Sequence, residues 1–358
     1  MTRLSRCALL VVLCAGFGTT ALAATVVVSN DGVDSDTCGA KTAPCRSISR
    51  GIARANAGDQ VIVGPGRYGE LTNDGDFTDP GEELNGGGGM IVIDKAVSVR
   101  SVSGATLTVI DARGLSDVAV AITANGAQFG GVKKGFTVTG AGATAIQSDG
   151  SGITVAGNLA LGNGGGTGYS IAGSDATVFG NFSLANEIGF SVSASDSVVR
   201  GNTAWLNTLV GYSVSGDGNT LDRNLAVSNG TSGFNVAVAT SGGSVTGNAA
   251  IANGENGIAL TGPGFTIRDN SAIGNDQNGL GFSDASSDPS GGNLFGNLGC
   301  GLRNASDGAS NARHIYFGSK DGPSDTDPAD RVCNIGASTT DSDPFATRPA
   351  KLKVKTLF

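Results

Sequence analysis

Between Gly152 and Asn297, small, apolar and polar residues recur in one repeated phrase whose spacing predicts the architecture. Each copy has a Gly followed by two apolar residues two positions apart. The copies are Gly168-Tyr169-Ser170-Ile171, Gly189-Phe190-Ser191-Val192, Gly211-Tyr212-Ser213-Val214, Gly233-Phe234-Asn235-Val236, Gly257-Ile258-Ala259-Leu260 and Gly279-Leu280-Gly281-Phe282. A period of two is that of a β-strand, whose alternate side chains face opposite sides. Val155, Val178, Val199, Leu221, Val245, Ile267 and Leu294 keep one register in a second short strand. A third strand surrounds the small Ala160, Ser183, Ala204, Ala226, Ala250 and Ala272. The bulkier Leu161, Leu184, Trp205, Val227, Ile251 and Ile273 stand beside them, and Trp205, set in that apolar column, is expected in the core.

Two Asn punctuate every copy: Asn158 and Asn163, Asn181 and Asn186, Asn202 and Asn207, Asn224 and Asn229, Asn248 and Asn253, Asn270 and Asn275. The first Asn of successive copies are 23, 21, 22, 24 and 22 residues apart, a spacing that identifies a structural repeat. Three strands of three to five residues joined by tight Gly and Asn turns form one coil of a parallel β-helix. A leucine-rich repeat has a similar length but needs a Leu-rich strand and a helical or extended return segment; Gly, Ser and β-branched residues fill this unit instead. An inward Asn can bond backbone groups and the amide of the coil above, so the twelve Asn read as structural. Stacked at about 4.8 Å per coil, the chain makes roughly eleven coils.

The first 23 residues contain Arg3 and Arg6, an apolar run from Cys7 to Phe17 and Ala21-Leu22-Ala23, the pattern of a cleaved secretory leader. That run is too short to span a bilayer, and no other stretch approaches the needed length. Export to the periplasm, cell surface or medium follows, with no integral membrane span once the leader is removed. Removing Arg3 and Arg6 leaves 21 basic against 31 acidic residues, a net charge near −10 that makes nucleic acid a poor partner. Four Cys remain, and their spacing suggests two disulfides, Cys38 with Cys45 and Cys300 with Cys333, permitted by export.

Residues 24–58 read as an N-terminal cap. Val26 to Val28 form a strand, and Arg46 to Ala57 carry Ile48, Ile52 and Ala55 at helical spacing. Such a cap covers an otherwise open end of a solenoid. Coils are expected over 59–317, with an acidic insertion at 70–89 and the regular repeats at 152–297. A C-terminal cap and tail occupies 318–358. Near its end, Lys351, Lys353 and Lys355 alternate as in an edge strand or a small attachment point.

Pro44-Cys45-Arg46-Ser47-Ile48, the stretch Ala57-Gly58-Asp59-Gln60-Val61-Ile62-Val63-Gly64-Pro65-Gly66-Arg67-Tyr68 and the Gly-Asn repeats resemble the secreted right-handed parallel β-helix proteins of the pectin-lyase-like superfamily. The resemblance covers most of the chain after the leader. It implies an all-β fold, a single right-handed parallel β-helix with three short strands and about 22 residues per coil. For activity it implies only a range: pectate and other polysaccharide lyases, glycoside hydrolases, uronan epimerases and non-catalytic surface proteins.

Three constellations are candidates for chemistry. Asp74, Asp76, Asp79 and Glu82 in the acidic insertion could collect Ca²⁺, which takes oxygen ligands, or form a solvated loop. An outward column reads Phe179, Arg200, Asp222, Thr246, Arg268, with Arg223 and Asp269 one position on. There Arg200, Asp222 and Arg223 should cluster, as a surface ion pair or as a saccharide site with Arg clamping a carboxylate. Strand alternation would put His314, the sole histidine, on one face with Tyr316, a base and acid for a lyase or epimerase. The outward residues of the Gly-led strand, Ser170, Ser191, Ser213, Asn235, Ala259 and Gly281, offer no aromatic for sugar stacking. Three functions follow: a non-catalytic or degenerate scaffold binding carbohydrate or another cell-surface component; a polysaccharide lyase or uronan epimerase using Arg200, Arg223 and Arg268 or His314 and Tyr316, with Ca²⁺; or a structural, adhesive surface protein.

Overall fold

A computed structural model of the protein describes residues 23–354 except 73, 75, 84–87, 116, 285 and 326–329, so nearly all of the expected leader lies outside the described residues. The chain winds as a parallel β-helix through three sheets of ten, ten and eleven strands. Sheet 1 runs from Thr25–Val28 to Thr266–Arg268, sheet 2 from Gly66–Gly69 to Asn293–Phe295, and sheet 3 from Ile91–Ile93 to Val332–Asn334. In the regular coils the chain visits sheets 1, 2 and 3 in turn. The outer strands extend the stack beyond 59–317: Thr25–Val28 pairs with Gln60–Val63, and Val332–Asn334 with Leu302–Asn304. Thr339–Asp341 pairs separately with Ala309–Asn311.

The corners explain the repeats. Each sheet 1 strand ends in a left-handed residue, Gly157, Gly180, Gly201, Arg223, Gly247 and Asp269 in successive coils. Sheet 2 strands end likewise at Gly162, Ala185, Leu206, Ser228, Ala252 and Gly274. This backbone turn aims the next residue, always Asn, into the wall. Asn202 shows the pattern: its Oδ1 accepts from the backbone N of Asn181 at 2.9 Å and from Asn181 Nδ2 at 3.0 Å. Its own Nδ2 donates to Val178 O and to Asn224 Oδ1. Buried amides are thereby bonded on both sides, which removes most of their desolvation cost. The second ladder runs on to Asn297, whose Nδ2 donates to Asp330 Oδ2 at 2.8 Å, so a tail carboxylate ends it.

Inside sheet 3, Tyr169, Phe190, Tyr212 and Phe234 stack ring on ring at centroid distances of 4.6, 4.8 and 4.5 Å. Glycine precedes each ring because there is no room for more: a β-carbon on Gly189 would fall 2.3 Å from Gly211 O. Two expectations are corrected. Trp205 is 43% exposed, because in a three-residue strand only the central side chain, here Ala204, points inward. Leu294 lies in sheet 2 opposite Ala272, not in the sheet 1 column.

At the N-terminal end, α1 (Ile48–Arg54) is shorter than its apolar spacing suggests, but Ile48, Ile52 and Ala55 are buried as expected. Cys38–Cys45 and Cys300–Cys333 both form. Among the described residues no helix is long and apolar enough to cross a membrane.

Candidate ligand groove

The outward column of sheet 1 is in the expected register: Phe179 opposite Arg200, Arg200 opposite Asp222, Asp222 opposite Thr246, Thr246 opposite Arg268. The Arg200 guanidinium lies 5.0 Å from the centre of the Phe179 ring. Arg223, raised out of the wall by its left-handed backbone, places Nη1 3.2 Å from Asp222 Oδ2. Both partners are partly solvated, so this pair contributes little stability. Phe179, Gly180, Arg200, Gly201, Asp222 and Arg223 line a depression of about 140 Å³. A larger one of about 330 Å³ shares Phe179 and Gly180 and continues over Gly157, Val132 and Lys133 to Ser103. The two depressions adjoin at Phe179 and Gly180 along the outer corner between sheets 1 and 2, and together they are called the groove below. Arg200, Asp222 and Arg223 meet there, whereas Arg268 stands two coils on, beyond Thr246. Arg200 and Arg223 present planar guanidinium donors suited to carboxylates.

His314 and Tyr316 do not share a strand. Arg313 bridges Ser290 in line with sheet 1, and Tyr316 bridges Asn293 of sheet 2. His314 therefore occupies the corner between sheets, with φ of 60° and its N–H donating to Pro344 O, and strand alternation does not carry through it. The Tyr316 hydroxyl donates to Gly318 O.

The acidic insertion is tied to the chain by its own carboxylates. Glu82 is buried and accepts from the N–H groups of Leu71 and Asp79. Asp76 accepts from the N–H and hydroxyl of Thr78, which holds its carboxyl below the ordinary value. Asp74 accepts from the Asp76 N–H, and Asp79 lends its own N–H to Glu82. Among the described residues, the one trio of His, Cys, Asp or Glu with ligand atoms within 4.8 Å of one another is Asp34, Cys38 and Cys45, and both sulfurs are in the disulfide. Asp74, Asp76, Asp79 and Glu82 thus do not converge on one point. Glu83, which the sequence does not single out, is fully buried and accepts from the N–H groups of Ile48 and Ser49 and the Ser49 hydroxyl. Burial raises its pKa, with these hydrogen bonds opposing the shift.

Residues 135–297 match the family model described as a right handed beta helix region. The fold is the right-handed parallel β-helix. Pectate lyase Pel9A superposes with a TM-score of 0.51 at 17% identity, over 92% of this chain and 82% of its own. The A-module of the Azotobacter vinelandii mannuronan C-5 epimerase AlgE6 gives 0.50 at 13% identity, over 82% of this chain and 91% of its own. The Dettilon tailspike protein gives 0.50 at 14%, over 81% of this chain and 65% of its own. No curated protein matches in sequence. Likeness at these identities is a likeness of fold.

Proposed function

We propose that this chain is an exported β-helix scaffold that holds a carboxylated saccharide in the corner groove without cleaving it. One observation carries the proposal: Arg200, packed on Phe179, and Arg223 flank a single open depression on a chain whose formal net charge is −8. Guanidinium groups bind carboxylates through paired, charge-assisted hydrogen bonds, and Phe179 supplies an apolar floor. His314 stands at a corner and Tyr316 beyond it, so the shared strand face that would favour the lyase or epimerase alternative does not support it. Export is supported at the other end of the chain, where the Ala24 N–H donates to Asp59 Oδ1 at 2.7 Å. Cleavage after Ala23 would leave the Ala24 ammonium against that carboxylate, adding an ion pair to the hydrogen bond.

Calorimetric titration of the full chain with an oligogalacturonate, against neutral cellohexaose, tests the proposal. Binding of the acidic probe alone is expected, about tenfold weaker in Arg200→Ala, with no ultraviolet signal from unsaturated uronates. Equal binding by Arg200→Ala, or a growing ultraviolet signal, would overturn it.

A further inference from the structure

The groove does not end in open surface beyond Arg223, because the C-terminal segment returns to the same corner. Ala350 is clasped by Asn293: its N–H donates to Asn293 Oδ1 at 2.8 Å and its carbonyl accepts from Asn293 Nδ2 at 3.0 Å. Three residues later, Lys353 Nζ lies 2.8 Å from Asp269 Oδ2, one coil nearer the groove. The Lys353 side chain reaches the next coil as well. A β-carbon on Gly247 would lie 3.4 Å from Arg223 Cγ and 3.6 Å from Lys353 Cβ, so Arg223 and Lys353 straddle that glycine corner. Residues 351–354 form no strand, so Lys351 and Lys353 lie on no sheet edge, and Lys355 lies outside the described residues. From Ala350 to Lys353 the segment climbs the solenoid across three coils.

We propose that this strap is part of the binding site, with Lys353 as a specificity-determining residue that extends the line of cations from Arg200 and Arg223. The inference rests on the carboxylated-saccharide reading of the groove. Lys353 remains 48% exposed beside Asp269, and an ammonium carries three donors, so the ion pair orients it without exhausting it. The strap also runs beyond Arg223 rather than across the Phe179–Arg200 floor, which makes it an extension of the groove and not a cover. An extended acidic oligomer lying along the corner would meet Arg200, Arg223 and Lys353 in succession. Short acidic ligands would reach only the first two.

The test titrates an oligogalacturonate and monomeric galacturonate into the full-length chain and its Lys353→Ala, Lys353→Glu and Arg200→Ala variants. The expected result is oligomer binding about fivefold weaker in Lys353→Ala and weaker still in Lys353→Glu, with monomer binding unchanged. Arg200→Ala should weaken both ligands. If Arg200→Ala loses affinity while both Lys353 variants bind the oligomer as the wild type does, the strap is not part of the site and the groove reading survives. Tighter binding by Lys353→Ala would make the strap an obstacle and overturn the inference in the opposite sense. A wild-type chain that binds neither acidic ligand overturns both readings.

Discussion

Arg200 and Asn202 are separated by one glycine, yet they stand on opposite sides of the same wall and do different work. Asn202 faces inward, buried, with its amide bonded to the coils before and after it. Arg200 faces outward over Phe179 in an open groove. The next coil repeats the contrast, with Asn224 inside and Asp222 and Arg223 outside. The inward position is the same residue in every regular coil because each coil must bond its neighbours. The outward position varies from Phe179 to Arg200 to Asp222 to Thr246 because the fold leaves it free. In a solenoid, constancy along a column marks what holds the coils together, and departure from constancy marks where a ligand can be met.

The largest expected effect lies on the inner side. Asn202→Ala leaves the Asn181 backbone N–H and one of the two Nδ2 hydrogens of Asn181 without an acceptor, the other staying on Val155 O, and should cost about 3 kcal/mol in chemical denaturation. A cost near zero would mean the ladder is incidental. Next comes Glu83, which joins the acidic insertion to the start of α1. Glu83→Gln opposes an amide N–H₂ to the Ser49 N–H and should destabilise by about 2 kcal/mol at acidic pH. Because burial raises the Glu83 pKa, the folded chain holds that proton more tightly than the unfolded chain does. Its contribution is present below the ordinary carboxylate range and is lost as pH rises through the raised value. The stability gap between wild type and Glu83→Gln should therefore narrow with rising pH, as melting curves across that window will show. On the outer side, breaking the exposed Arg223–Asp222 pair with Asp222→Ala should change stability by less than about 0.5 kcal/mol. A larger loss would make the groove a structural element.

The fold was legible because its physics is periodic. Asn158 through Asn275 and the Gly-led strands announced three sheets and two tight corners, and those corners exist. The position of Trp205 is not legible from hydrophobicity, because side chains of adjacent coils also cover one another on the outer face, as Phe182 and Trp205 do edge to face at 6.3 Å. The corner at His314 is hidden in the sequence because no Gly or Asn marks it. The Arg200 cluster was readable from register alone. Lys353 was not, since the return path of the strap depends on Asn293 and Asp269, more than fifty residues away in sequence. The outer face of sheet 3 is the smooth, half-exposed small-residue surface that the alternation at Ser170, Ser191 and Ser213 implies.

Inner and outer residues of one corner have separable roles, which a paired denaturation and binding series can show. Wild type, Asn202→Ala and Arg200→Ala would be unfolded chemically, and the wild type and Arg200→Ala titrated with the same oligogalacturonate. Asn202→Ala is expected to lose about 3 kcal/mol of stability, while Arg200→Ala stays within about 0.5 kcal/mol of wild type and loses about tenfold in affinity. Equal destabilisation by both substitutions, or a stable Asn202→Ala protein, would contradict that separation of roles.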